Sequence, residues 1–261
     1  MESRLILPGG RFANQIVNDI HEKKVALVVG AGDATGAAIA RRFARAGYVT
    51  CMTRRNADKL QPVIDEIRSA GGEAHGFASD ARKEDQVADL VEQIESRLGP
   101  IDVFVFNIGA NVPCAILKET ARKFFKIWEM ACFAGFLSSQ AVAKRMAVRG
   151  RGTIIFTGAT AALRGSANFA AFATAKQGLR ALAQSMAREL GPMNIHVAHV
   201  VVDGAIDTAF IRDNFPDKYA EKDQGGILSP VHIADAYWYL HSQTRDAWTF
   251  ELDLRPWIER W

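Results

Sequence analysis

The chain has 261 residues, 49% of them hydrophobic, enough to fill a sizeable core and to exclude a wholly disordered protein. Its 32 basic and 29 acidic residues are mixed along the sequence and give a net charge of +3, without the basic stripe that phosphate-backbone binding needs, so no nucleic-acid partner is expected. Cys51, Cys114 and Cys132 have no paired spacing, which points to a reducing, cytoplasmic setting with no metal site, and no apolar run reaches the roughly 20 residues of a membrane span.

In chain order, residues 1–23 read as an N-terminal extension, since no long apolar segment there precedes a small-residue cleavage site. From Lys24 short β-branched runs alternate with longer amphipathic stretches, the pattern of a parallel sheet with crossover helices. Strand 25–30 leads into the turn Gly30-Ala-Gly-Asp-Ala-Thr-Gly36 and helix 35–46. Strand 48–53 ends on Arg54-Arg55 and precedes helix 57–70. Strand 73–79 is followed by Asp80-Ala81 and helix 84–98, and strand 102–107 closes on Asn107-Ile108-Gly109. A long helix over 121–149, strand 152–157, helix 167–190, strand 195–201 and strand 248–254 complete the order. The stretch 203–230, mixed in polarity and containing Gly225, Gly226 and Pro230, reads as a mobile lid. Seven strands fit one doubly wound parallel sheet with helices on both faces. With no repeat, linker or second composition regime, residues 24–261 form a single α/β domain.

The turn after the first strand carries the clearest chemistry. Gly30, Gly32 and Gly36, with Asp33, Ala34 and Thr35 among them, stand between a buried strand and a helix N-terminus. There glycines admit a pyrophosphate to the backbone, and the free N–H groups and helix dipole favour an anion; this is the Rossmann setting for a dinucleotide. Asp80 and Ala81 stand where an adenine would be met, and Asn107 and Gly109 lie beside the expected cofactor path. The second strand ends on two arginines rather than a carboxylate, and guanidiniums pair bidentately with a 2′-phosphate. NADP(H) is thus favoured over NAD(H), although Asp33 near the same ribose pulls the other way.

On these residues the chain resembles the short-chain dehydrogenase/reductase family from Lys24 to its C-terminus. The turn resembles that family's Gly-x-x-x-Gly-x-Gly, with Ala34 at the middle glycine; Asn107-Ile108-Gly109 resembles the end of Asn-Asn-Ala-Gly, with Phe106 at the first asparagine. Gly204 to Thr208 resembles Pro-Gly-x-x-x-Thr, with Asp203 for the proline. The resemblance implies that Ile206 lies against the nicotinamide carboxamide and Thr208 near the pyrophosphate.

The resemblance also implies a Tyr-x-x-x-Lys pair, a serine and an asparagine that together move a proton while the cofactor moves a hydride. Here the lysine is Lys176, the tyrosine position is Phe172, the serine position is Ala159 and the asparagine position is Ala131. Phenylalanine has no hydroxyl, and losing a positioned acid removes about 10²- to 10⁴-fold of rate. Lys176 still makes sense as a ribose ligand. Thr160 and Asp203 are the first substitutes to consider; His196, His199, Tyr219 and Cys132 follow, each more often a core or surface residue than a catalyst.

Three functions compete. The first is an NADP-dependent oxidoreductase acting on a small or medium apolar carbonyl or alcohol, its pocket lined by Phe106, Ile108, Phe133 and Phe172. The second is a dinucleotide-binding pseudoenzyme that senses or scaffolds, and the third is a non-redox enzyme on the same fold. By resemblance the long helices pair copies into a homodimer or homotetramer, and Trp248, Trp257 and Trp261 suit a second interface.

Overall fold

The computed structural model describes residues 23–259. Apart from Lys23, the extension expected over residues 1–23 lies outside them, as does Trp261. Strands β1 (Val25–Val29), β2 (Val49–Arg54), β3 (Glu73–Ala78), β4 (Ile101–Phe106), β5 (Gly152–Thr157), β6 (Ile195–Val202) and β7 (Glu251–Leu254) form one parallel sheet. Their order is β3-β2-β1-β4-β5-β6-β7. The order reverses between β1 and β4, so the loops leaving those strands part and open a crevice at their C-terminal ends.

The helices are α1 (Thr35–Arg45), α2 (Gln61–Ser69), α3 (Glu84–Arg97), α4 (Ala121–Trp128), α5 (Ala134–Arg149), α6 (Ala170–Leu190), α7 (Ala209–Asn214), α8 (Pro216–Tyr219) and α9 (Pro230–Ser242). Every residue of β1, β4 and β6 is buried, as the continuous apolar runs require when both faces are covered. Alternate residues serve different cores. Ala26 and Val28 meet α1, α2 and α9 on one face, whereas Leu27 and Val29 meet α3, α5 and α6 on the other.

Four features depart from the sequence reading. The helix expected over 121–149 is broken by a π-helical turn at Glu129–Phe133, a device common beside functional sites. The last strand begins at Glu251 rather than 248, because Trp248 stacks on His196 at 4.9 Å and Thr249 is tied to Gln243. Helix α9 was not expected, although Ser229-Pro230 opens it and Ile233, Ala234, Tyr237 and Leu240 recur at helical spacing. The 203–230 stretch is more ordered than its composition implies. Thr208 caps α7 by accepting from the Ile211 N–H at 3.2 Å, and Ile206 bridges to Leu228.

Candidate active site

Leaving β1, the chain turns through Gly30 at φ +84°, the left-handed region that glycine enters without steric cost. A Cβ on Gly30 would stand 2.5 Å from Ile108 Cγ1, and one on Gly36 would stand 2.7 Å from Ala31 Cα, so close approach demands both outer glycines. Gly32 meets nothing within 4 Å and faces open space. Helix α1 then starts with no acidic residue in its first turn, which leaves its N–H groups and positive dipole end to an anion.

A cavity of about 1100 Å³ lies over this turn. It brings together Gly30, Gly32, Asp33, Ala34, Thr35 and Gly36 with Asn107 and Gly109 after β4, Ala159 and Thr160 after β5, Phe172 and Lys176 on α6, and Gly204, Ile206 and Thr208 after β6. A recess of about 250 Å³ shares Gly30, Gly32, Asn107 and Gly109 and adds Arg54, Arg55, Asp80 and Ala81. The two spaces fit an extended, phosphate-bearing ligand: a glycine cradle at the centre, arginines at one end and an apolar chamber at the other.

A polar chain couples these walls. Asn107 Nδ2 donates to Gly30 O at 3.1 Å, Thr157 Oγ1 donates to Asn107 Oδ1 at 3.1 Å, and the Tyr237 hydroxyl meets Thr157 Oγ1 at 2.7 Å. Burial raises the Tyr237 phenol well above its usual range, so it stays neutral. In the recess Arg54 pairs with the exposed Asp33 at 2.7 Å. Asp80 accepts two bonds from the Arg82 guanidinium, which hold its carboxyl below the usual range.

At the other end Lys176 is 2% exposed and donates from Nζ to Thr157 O at 2.8 Å and Ile108 O at 3.1 Å. Its desolvation lowers the ammonium pKa to about 8. The three positions where polar groups are missing all belong to one apolar cluster. Phe172 and Ala131 are buried there with Ala110, Ile127, Cys132, Ala171 and Ala175, and Ala159 packs against them. The Cys132 thiol is pushed up by burial and remains protonated and inert.

Several expected roles need correction. Asp203 does not border the cavity; its neighbours Val202 and Gly204 do. The Asp203 carboxylate accepts from the Thr160 hydroxyl and pairs with Arg255 at 3.3 Å, so it holds Thr160 rather than facing a ligand. Phe106 is fully buried within the sheet core, and Phe133 stacks between Trp128 and Phe136; neither lines the pocket. Tyr219 is likewise absent from the lining. His196 bonds to Thr249 O at 2.9 Å, and His199, bonded through Nδ1 to Glu251 at 3.0 Å, has its pKa depressed to about 4 by burial.

The lining also includes residues the sequence reading missed, among them Arg41, Asn111, Ser166, Phe169, Phe210 and Val231. Arg41 sits on α1 and bonds Glu66 at 2.6 Å, so by periodicity it looks like any polar-face arginine. Ser166 and Phe169 occupy the segment before α6; helix was expected from 167, and that misplaced boundary hid Phe169.

A doubly wound parallel sheet, a glycine turn at its first strand–helix junction and a lysine-lined chamber at its switch point define a nucleotide-binding α/β protein of the Rossmann class. Residues 24–218 match the short chain dehydrogenase family model, and the chain belongs to that family. It is 32% identical over 199 residues to the 7alpha-hydroxysteroid dehydrogenase of Escherichia coli (strain K12), covering 76% of this chain and 77% of the relative. Among solved structures it is 46% identical to a short-chain dehydrogenase from Rhodopseudomonas palustris, with a TM-score of 0.76 over 90% of this chain and 99% of that one. A metagenomic short-chain oxidoreductase in complex with NADP is 29% identical, with a TM-score of 0.78 over 90% and 98%.

Proposed function

We propose that the protein is an NADP(H)-dependent oxidoreductase that interconverts small or medium apolar carbonyl compounds and alcohols at a site without the usual tyrosine and serine. The observation behind this reading is Lys176, kept and buried where it borders the cavity beside Phe172 and Ala159. A bound nicotinamide supplies the hydride. The chain's part is to seat the pyrophosphate on Gly30–Gly36, to set Lys176 beside the nicotinamide ribose, and to exclude water with Phe172, Phe169, Ile206 and Phe210.

Preference for the phosphorylated cofactor is supported by Arg54 and Arg55 in the recess, where the nearby carboxylate Asp33 is already paired with Arg54. The solved relative in complex with NADP agrees with it. Titration with NADPH and NADH at matched ionic strength tests it, and tighter binding of NADH would remove it.

A second reading, binding without turnover, is favoured by the packing of Ala131, Ala159 and Phe172 in one apolar cluster. Turnover of NADPH and NADP+ against a broad carbonyl and alcohol panel separates the two, since a sensor or scaffold binds NADPH and oxidises none of it. Copies pair through the face of α4 and α5, where Phe125, Trp128, Phe133 and Phe136 follow one another at ring separations of 5.9–6.1 Å and Phe125 is exposed. Sedimentation giving only monomer would contradict a homodimer or homotetramer.

A further inference from the structure

We infer that Lys176 is itself the proton donor and acceptor of this site, acting directly on the substrate oxygen or across one water, where the family arrangement interposes a tyrosine. The inference rests on the oxidoreductase reading above. Its first support is elimination. Among the described residues that border the cavity, the ionisable side chains are Asp33, Arg41, Asp207 and Lys176. Asp33 belongs to the phosphate turn, Arg41 to the helix it opens, and Asp207 is paired with Lys222 at 2.8 Å. Two hydroxyls on the β5 side of the cavity are committed, Thr157 to Asn107 and Tyr237, and Thr160 to Asp203. A neutral aliphatic hydroxyl is in any case too weak an acid to finish a reduction.

The second support is the way Lys176 is held. An ammonium has three N–H donors and a neutral amine has two. Nζ donates to two backbone carbonyls, Ile108 O and Thr157 O. Both carbonyls therefore stay satisfied in either protonation state, and the third proton can leave without orphaning a buried acceptor. A lysine meant only as a fixed charge would gain from a carboxylate partner, yet no ion pair to Lys176 exists among the described residues. The groups that bear on it are Cys132 from the π-helical turn, His199 from β6 and the Phe172 ring at 5.9 Å from Nζ. The nearby carboxylates are engaged elsewhere: Glu251 with Arg180 and His199, Asp203 with Thr160 and Arg255. The ammonium is thus desolvated with no carboxylate paired to it, and burial brings its pKa to about 8, near the working range of an acid–base catalyst. Because Phe172 offers no phenol to activate, nothing in the site requires the charge to be permanent.

In the reduction, a hydride that a bound nicotinamide would supply reaches the carbonyl carbon and the C=O π pair moves to oxygen. The oxygen takes a proton from Lys176 Nζ; the N–H pair stays on nitrogen, leaving an alcohol and a neutral amine that solvent reprotonates. In the reverse direction the neutral amine accepts the alcohol proton as hydride leaves carbon for the oxidised nicotinamide. Reduction therefore needs the ammonium and fades as pH rises, whereas oxidation needs the amine and grows.

The test is initial-rate kinetics with NADPH and a panel of apolar aldehydes and ketones, from about pH 6 to about pH 10, on the wild type and Lys176→Arg, with NADPH binding followed by fluorescence. The expected result is a wild-type kcat for reduction that falls about tenfold per pH unit above a single apparent pKa near 8. Oxidation rises across the same midpoint. Arginine keeps the charge but does not release its proton, so Lys176→Arg lowers kcat, read at saturating NADPH, by about 10²-fold or more. Should that variant fail to fold, NMR titration of Nζ in ¹⁵N-lysine-labelled wild type must give the kinetic midpoint, and disagreement by more than about one pH unit overturns the role. A wild-type reduction rate flat to pH about 10, or one that survives in Lys176→Arg, also overturns it and leaves the oxidoreductase reading standing. NADPH bound but never oxidised at any pH removes both.

Discussion

The two ends of the cavity were built under different constraints. At the phosphate end, backbone geometry does the binding: Gly30 and Gly36 are fixed by close approach, and Asp33 and Arg54 beside the turn are paired with each other. At the β5–α6 end, function would depend on side-chain chemistry, and there three positions belong to an apolar cluster whose Phe172 faces a single buried amine. Backbone sites change only by strain, whereas side-chain sites change by ordinary substitution. Binding and turnover are therefore separable within one pocket, and each can be perturbed while the other is watched.

The largest effect should come from Gly30→Val, which puts a branched side chain at φ +84° and against Ile108. Dinucleotide binding measured by fluorescence is expected to vanish, and urea denaturation should show a loss of about 3 kcal/mol. If such a variant bound NADPH normally, the backbone argument for this end would fail. Next comes a pH effect on the opposite side. His199 has a folded pKa of about 4, so below pH about 6.5 the unfolded chain binds the proton that the folded chain refuses. Stability falls as pH drops from about 6.5 to about 4, by about 3 kcal/mol at most, and His199→Asn should flatten that part of the curve.

Restoring polar groups sharpens the contrast further. Phe172→Tyr with Ala159→Ser is expected to raise kcat for carbonyl reduction by about 10²-fold with little change in NADPH affinity. An unchanged kcat would mean that the chamber serves another purpose. The smallest effect should be Arg55→Ala, which weakens NADPH by about tenfold and leaves NADH alone, since one charge-assisted contact to the 2′-phosphate is lost. Equal weakening of both cofactors would relocate Arg55 to a general electrostatic role.

How much of this could be read from sequence follows the same division. The phosphate turn was legible because its determinants are contiguous: a buried strand, spaced glycines and a helix start. Lys176 and Phe172 were legible through their spacing on one helix. Asp203 was misread because adjacent residues of an extended chain point opposite ways, and Val202 and Gly204 take the cavity side. Arg255, which claims Asp203, is a partner set by tertiary packing that no local pattern announces, whereas Arg82, which claims Asp80, lies only two residues along the chain. The pocket's true apolar walls, Phe169 and Phe210, lie in segments whose helix boundaries the sequence left loose, while Phe106 was credited to the pocket although β4 buries it from both faces.

The apolar cluster around Ala131, Ala159 and Phe172 also limits which single substitutions the chamber tolerates. Ala131 is fully buried at the π-helical turn beside Ile127 and Phe172, so an asparagine arriving there alone would bury an unmet amide at a cost of about 1–3 kcal/mol. A tyrosine arriving alone at 172 would find no serine at 159 to share its proton. Polar groups are therefore expected to enter this cluster to advantage only in combination, as in the paired change at 172 and 159.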